Sequence, residues 1–395
     1  MKPLRVVVVT IEPPLPFRHA TARWSYVLLK GLAERGHRVT AFTSLSEPET
    51  IEELKSLCLA PNIELRCYAS GTRSWVRSKW QTIREPHSHL FDAAMRRDLE
   101  AELNRGFDVL HLEGTWAGWL GRGPQACKSV LNFHNLYAID VPHESVRGLS
   151  ERLRNRLRRE AERRLLRSYP RLITVTPRLK AAARAIAPRA SVQVVPLSLD
   201  LALYPFVHAR RRPTQPVISM IGSMDWRPSH TAAIRLLTRL WPSIKERVPR
   251  ATLRIVGRNA RSALSAHSGG PDLEIAENVC STRPYFESSS VLLYAPERGS
   301  GMKVKVLEAF AYGVPVVTTS DGVEGLPARD GVHAGLSDDD GGLIERAVHL
   351  LNDRDRQEQQ RVAARQLLER HCDANAALDA VERCYCEIVA GGGVA

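Results

Sequence analysis

The side chains best placed to do chemistry sit in one stretch, Pro296-Glu-Arg-Gly-Ser-Gly-Met-Lys-Val-Lys-Val-Leu-Glu-Ala-Phe-Ala-Tyr-Gly-Val-Pro-Val-Val317. Gly299, Ser300 and Gly301 form a flexible turn directly ahead of a segment that reads as a helix over 303–312. The first amides of a helix have no intrahelical partners, and the helix dipole adds positive potential there. Such a terminus is a natural seat for a phosphate. Lys303 and Lys305 fall in the first turn, where a cation opposes the dipole, and an anion held there accounts for them. Glu308 follows Lys305 by three residues and shares its face. A carboxylate one turn beyond a diphosphate is placed to accept from two ribose hydroxyls. Gly313 stops the helix, and Pro315 leads into the next strand. A bare Gly-Ser-Gly turn also suits an ordinary loop–helix–strand unit with surface lysines, so the whole string carries the reading.

Smaller groups accompany it. Ile221-Gly222-Ser-Met-Asp-Trp-Arg227 follows a strand and offers one arginine to the same anion. Asn132-Phe-His134-Asn135 ends another strand, and in open α/β sheets ligands bind at the carboxyl ends. After the first strand, Pro16-Phe-Arg18-His19-Ala-Thr-Ala-Arg23 has no glycine, so backbone approach to a ligand is hindered and Arg18, His19 or Arg23 would act through side chains. Arg147 is a further basic candidate, with plain surface charge as its alternative.

The elements that must position these groups follow an alternating pattern. The run from Arg5 to Thr10 is β-branched throughout, as in a strand buried on both faces. An amphipathic helix over 20–35 ends at Gly36, and a strand follows over 38–43, which makes a βαβ unit and starts a parallel sheet. Further strands read over 109–112, 129–133, 172–175 and 192–195. Residues 201–215, with Pro205, Pro213 and three consecutive arginines, read as a linker. The pattern then restarts, with strands over 217–221, 253–257, 291–294 and 314–318 and a helix over 231–247. The expected organisation is an N-terminal Rossmann-like domain over 1–200, a C-terminal one over 216–370, and a last helix over 371–395 that crosses back to the first. The two domains are expected to face a central cleft.

The chain has 395 residues, enough for two cores, and a net charge of +13. The excess lies in residues 1–200, which hold 32 basic and 20 acidic side chains, against 24 and 23 in the rest. Nine arginines fall within 151–171. That stripe suits an anionic surface, a phosphorylated substrate or nucleic acid, or it is a solvated helix face. It lacks the aromatic interleaving of single-strand binders, and no helix-turn-helix or zinc spacing occurs, so no nucleic-acid partner is expected. The seven cysteines form no CxxC pair, which fits reduced thiols in a cytoplasm. No apolar run reaches membrane-spanning length. No GxGxxG follows either first strand, which argues against an NAD enzyme. No DxD pair ends a strand, and Asp338-Asp-Asp340 reads as a solvated loop.

The string from 296 to 317 resembles the donor-binding segment of glycosyltransferase family four, retaining enzymes of the GT-B fold. Trp241-Pro242, Ile255-Val-Gly-Arg258 and Thr318-Thr-Ser-Asp-Gly-Val-Glu-Gly-Leu326 resemble the same branch. The resemblance implies a glycosyltransferase that takes a sugar from a nucleotide sugar without metal or other cofactor and keeps its anomeric configuration. Glu308 matches the second glutamate of the family's E-x7-E, the ribose ligand. The first, which contacts the donor sugar, falls at Ser300 here, with Glu297 as a nearby substitute. His134 matches a histidine near the donor sugar and acceptor, where an imidazole can steady charge in the transition state. Gly222, Arg227, Gly299, Ser300, Gly301, Lys303 and Lys305 would hold the diphosphate. The acceptor would be a glycan, a lipid-linked glycan or a small natural product, with a membrane-peripheral location fitting the basic N-terminal half.

Overall fold

The computed structural model describes residues 2–45, 52–54, 60–71, 84–141, 148–206, 213, 215–267, 269–270 and 272–391. Arg147 and the Arg210–Arg212 run lie outside them. The chain divides into two compact units, Met1–Leu199 with Ala374–Ala395, and Asp200–Asp373.

The first unit is built on a seven-stranded parallel sheet: β1 (Arg5–Thr10), β2 (Arg38–Leu45), β3 (Ile63–Ala69), β4 (Val109–Glu113), β5 (Ser129–Phe133), β6 (Arg171–Thr174) and β7 (Ser191–Val194), in the order β3-β2-β1-β4-β5-β6-β7. Helices α1 (Ala20–Glu34), α2 (Ala93–Asn104), α3 (Tyr137–Asp140), α4 (Leu149–Arg167) and α5 (Pro177–Ile186) connect the strands. The interior strands β1, β4 and β5 are almost wholly buried. This is why they read as continuous apolar runs. The edge strand β3 alternates polar and apolar residues, with Glu64 exposed and Arg66 half-buried against Glu102, and the apolar pattern did not reveal it.

The second unit has a six-stranded parallel sheet: β8 (Val217–Ile221), β9 (Thr252–Gly257), β10 (Leu273–Glu277), β11 (Val291–Tyr294), β12 (Val316–Thr318) and β13 (Gly335–Leu336), ordered β10-β9-β8-β11-β12-β13. The helix expected over 231–247 begins earlier, as α6 (Arg227–Arg235), passes through a π turn at Leu236–Leu240 and continues as α7 (Trp241–Arg247). Pro242 has no amide to donate, so the α-type ladder is broken where the wider turn sits. Then come α8 (Val304–Tyr312), α9 (Asp340–Asn352) and α10 (Arg354–His371). Gly313 closes α8 in the left-handed conformation.

The acidic run is exposed at Asp338 and Asp339, as expected of a solvated loop, but its side chains also have partners within the unit. Asp339 accepts from the Gly342 amide and caps α9, Asp338 accepts from Ser320, and Asp340 pairs with the buried Arg235.

The last helix, α11 (Ala374–Gly391), packs in the first unit. Glu382 pairs with Arg35 and accepts from His37 at 2.8 Å. Tyr385 enters the core beside β4, where its hydroxyl meets His111 at 2.7 Å.

Candidate functional site

Both sheets reverse their strand order at an interior point. In the second unit this lies between β8 and β11, and in the first between β1 and β4. Crevices at the carboxyl ends of such neighbouring strands are where doubly wound folds hold ligands.

In the second unit the residues singled out from sequence collect at that crevice. The turn Gly299–Gly301 links β11 to α8, and Gly301 has φ 78°, a region favouring glycine. Lys303 is the N-cap of α8 rather than a first-turn residue, and its ammonium donates to the Gly301 carbonyl at 2.5 Å. Lys305 is the second residue of α8, in its first turn. Its ammonium donates to Ser229 Oγ at 2.6 Å and sits 4.1 Å from the centre of the Tyr294 ring. A Cβ on Gly222 would stand 2.7 Å from the same nitrogen, so glycine there leaves room for it. Desolvation, reinforced by the positive charge of Lys303 and opposed by Glu308, lowers the Lys305 pKa from 10.5 to about 7. Glu308 is buried on a helix whose residues from Val306 to Tyr312 are otherwise apolar or aromatic. Arg227 opens α6 and is exposed.

The structure separates two carboxylates near the serine that breaks the E-x7-E pattern. Ser300 is buried. Glu297 is well exposed and lies 3.7 Å from Arg239. Glu324, on the loop after β12, is only 9% exposed, and its carboxylate lies 3.9 Å from the Lys303 ammonium. The Gly-Val-Glu-Gly string held this residue in view, but only the adjacency of β11 and β12 brings its loop beside the Gly-Ser-Gly turn.

Gly222→Ala tests the space around Lys305. The added methyl meets the end of a flexible side chain, so the fold is expected to keep its Tm within a few degrees. The displaced ammonium is expected to weaken nucleoside diphosphate binding by about tenfold, the effect of one charge-assisted contact. Calorimetric titration checks the second expectation, and thermal unfolding the first.

In the first unit His134 follows β5, and its Nε2 contacts Glu113 Oε1. Glu113 ends β4, fully buried, and also receives Asn132 Nδ2 at 3.0 Å and His111 Nε2 at 3.1 Å. Burial alone would raise its pKa. The charge of His134 and the hydrogen bonds from His111 and His134 outweigh this and hold it at about 2. Sequence reading ended the strand at Leu112 and missed Glu113. Glu162 was also missed, hidden within the arginine stripe. It is buried on α4, accepts from the amides of Tyr137 and Ala138 at 2.8 and 3.1 Å, and so caps α3, just after His134. Burial pushes its pKa up to about 7, against those two amide bonds.

Arg18 and Arg23, two of the other N-terminal candidates, have structural partners. Arg18 pairs with Glu53 at 2.8 Å. Arg23 is buried and donates to the Arg18 carbonyl at 2.6 Å, pinning the loop. His19 is exposed at the start of α1. Part of the arginine stripe also works internally, since Arg159 donates to the Val141 carbonyl, Arg164 to Arg84 and Arg167 to Ile186. Leu149 and Leu153 of the same helix are exposed. Among the described residues no helix is long and apolar enough to cross a membrane, and no cluster of three or more His, Cys, Asp or Glu side chains is arranged to hold a metal.

Comparison with known proteins agrees with this division. Residues 21–203 match the family model described as Glycosyltransferase Family 4, and residues 215–353 match that of Glycosyl transferases group 1. No curated protein sequence matches. Among solved structures, sucrose-phosphate synthase from Thermosynechococcus elongatus superposes with a TM-score of 0.73 at 14% identity, over 98% of this chain and 99% of that one. HepE from Anabaena, solved in complex with UDP-glucose, gives 0.67 at 11% identity over 97% and 100%. A glycosyltransferase from Rickettsia africae gives 0.67 at 13% identity over 98% and 99%.

Proposed function

We propose that this chain, a glycosyltransferase of the GT-B fold, moves a sugar from a nucleotide sugar held by its second unit to a hydroxyl acceptor, with retention of configuration and without a metal. The observation that carries the donor assignment is Lys305, an ammonium enclosed by Ser229, Tyr294 and the space over Gly222 where the strand order reverses. A buried cation is costly unless an anion meets it. A diphosphate seated against the Gly299–Gly301 turn would supply that anion.

As the glycosidic bond breaks, negative charge gathers on the leaving diphosphate. Lys305, Lys303 and the turn amides are donors for it, with the exposed Arg227 as a fourth. This is the work a divalent cation does in metal-dependent transferases. Glu308 accepts from the ribose hydroxyls. Glu324 is the carboxylate that replaces the missing family glutamate and accepts from hydroxyls of the donor sugar. In the first unit His134 addresses a sugar hydroxyl. The basic N-terminal half favours an anionic or lipid-linked acceptor in glycan, exopolysaccharide or glycolipid assembly, with α4 resting on an anionic membrane surface.

UDP-glucose is the first donor to try, because the similar HepE structure holds it. Transfer or slow donor hydrolysis should persist in excess EDTA and release a product of the donor's own anomeric configuration, read by proton NMR of the first turnovers. Loss of activity with the chelator, restored by a divalent cation, would overturn the metal-independent reading. An inverted product would overturn retention. Glu324→Gln is expected to leave nucleoside diphosphate affinity intact while lowering kcat/KM for the intact donor by about tenfold or more, the scale of a hydrogen bond to a charged group. Equal kcat/KM in the variant would remove Glu324 from the sugar site.

A further inference from the structure

Helix α4, the arginine-rich helix, grips the segment that follows His134 at both of its ends. Glu162, almost fully buried on α4, accepts from the amides of Tyr137 and Ala138 at 2.8 and 3.1 Å. Arg159, on the same helix, donates to the Val141 carbonyl. The Arg158 guanidinium lies 5.6 Å from the centre of the Tyr137 ring. Within the segment, Asn135, the residue after His134, donates to the buried Asp140 at 2.8 Å. Residues 134–141 thus form a closed loop carried on α4. α3 itself has only four residues. The amides from Ile139 to Val141 bond back to Leu136 and Tyr137, but those of Tyr137 and Ala138 lie in the opening turn and have no helix carbonyl to meet. Leu136, at the N-cap, has no side-chain acceptor to offer. A single helical turn is not stable alone, so this one depends on the cap that Glu162 supplies from 25 residues away.

A carboxylate buried so deeply is costly in its charged form. Burial pushes the Glu162 pKa up to about 7 against the two amide bonds; Asp140 adds to the rise and Arg159 opposes it. Arg158 and Arg163 flank Arg159 on α4. Of the elements packed most closely on α4, α3 brings Asp140 and the Tyr137 phenol, α5 carries Arg178, Lys180 and Arg184, and the turn over 115–120 carries no ionisable side chain. When ionised, the carboxylate accepts from both amides. When protonated, one oxygen carries a hydrogen and turns a donor towards an N–H, so one of the two bonds is lost.

We propose that Glu162 is a positioning residue of the first unit: its ionised carboxylate holds the loop that carries His134 in its working place, and protonation releases one end of that loop and slows transfer. The proposal rests on the reading of His134 as a group of the transferase centre, and adds to it a control by pH exerted from α4. Misplacing a reacting group by about 1 Å is enough to cost about a hundredfold in rate.

Two measurements test it. The first follows the Tyr137 amide resonance of the whole protein, made with isotope-labelled tyrosine, between about pH 5.5 and about pH 8.5, a range that brackets the titration of the carboxyl. The resonance is assigned by its loss in Tyr137→Phe. It is expected to move through a single titration in the wild-type protein and to stay still in Glu162→Gln. A resonance that stays still in the wild-type protein, or moves equally in Glu162→Gln, would overturn the switch. This spectrum needs no turnover, so failure of the switch and failure of the transferase reading are told apart. The second is kcat per folded molecule at saturating donor. The wild-type value is expected to fall on the acid side with the midpoint of the Tyr137 resonance. Glu162→Gln, whose single side-chain oxygen can no longer offer both amides a charged acceptor, is expected to be about tenfold slower above that midpoint and to lose the acid-side fall, with Lys305 still in place. A Glu162→Gln profile of wild-type shape would overturn the positioning role, because a cap that only stabilises the fold changes Tm and not the pH dependence of kcat. Nucleoside diphosphate affinity should stay within about twofold, since the diphosphate site is in the other unit. Should Glu162→Gln fail to fold, Arg159→Met removes the cation that favours the ionised carboxylate and is expected to move the Tyr137 midpoint to higher pH. An unmoved midpoint there would contradict the proposal.

Discussion

Lys305→Met is expected to lower kcat for sugar transfer by about two to three orders of magnitude, the loss found when one fixed donor to a developing negative charge is removed. Methionine keeps most of the volume in a space bounded by Ser229 and Tyr294, so the fold should survive. It should in fact unfold at a higher temperature at neutral pH, because a desolvated ammonium has been taken out. The same lysine predicts a pH dependence. Burial lowers its pKa to about 7 in the folded protein, against the ordinary 10.5. Between these values the unfolded chain holds the proton and the folded one does not, so this group adds stability as pH rises from about 7 towards 10.5. Binding runs the other way. An anion beside Lys305 favours its charged form, so nucleoside diphosphate binding above pH 7 takes up a proton. Affinity should then fall by up to about tenfold per pH unit above 7. Titrations in buffers of different ionisation enthalpy measure the uptake directly. Affinity that is flat from pH 6.5 to 9, or uptake that persists in Lys305→Met, would assign the anion to other groups.

Glu308→Ala is expected to weaken binding of the nucleotide sugar by about tenfold to a hundredfold, since two hydrogen bonds to a charged acceptor are lost. The effect should depend on the ribose. A 2′-deoxy donor is expected to bind the wild-type protein more weakly than the ribo donor, and Glu308→Ala should abolish that difference. A mutant that still discriminates the two would place the ribose elsewhere. This cycle separates a direct contact from general damage to α8, because damage would weaken both donors equally.

The parts of this account that were legible in the sequence are those carried by local spacing. The Gly-Ser-Gly turn, Lys303, Lys305, Glu308 and Gly313 lie within one loop, one helix and its cap, where contacts run three or four residues apart. The interior strands were legible because burial on both faces makes them uniformly apolar. The edge strands β3 and β10 were not, because Glu64, Arg66, Glu274 and Glu277 interrupt their apolar pattern. Nor was the partner of His134. Glu113 is 21 residues away, and Tyr385 is 274 residues from the histidine it supports. Such pairings depend on which strands are neighbours and on where the last helix returns, and no local pattern encodes either. Ser229 reached Lys305 in the same way, across 76 residues, and Glu324 reached Lys303 through the pairing of β11 with β12.

The central claim, that the second unit holds a nucleoside diphosphate through α8, is tested most directly by thermal unfolding. The wild-type protein and Glu308→Ala would be unfolded with UDP, GDP, ADP, CMP and dTDP, with their sugars, and with NAD as a control. A ligand at a hundredfold excess over Kd contributes ~2.7 kcal/mol, which is roughly 2–4 °C per kcal/mol for a domain of this size. The account predicts that one nucleoside diphosphate raises Tm of the wild-type protein by several degrees, that NAD does not, and that Glu308→Ala loses most of the shift. No shift with any nucleotide, or an equal shift in the variant, would contradict it.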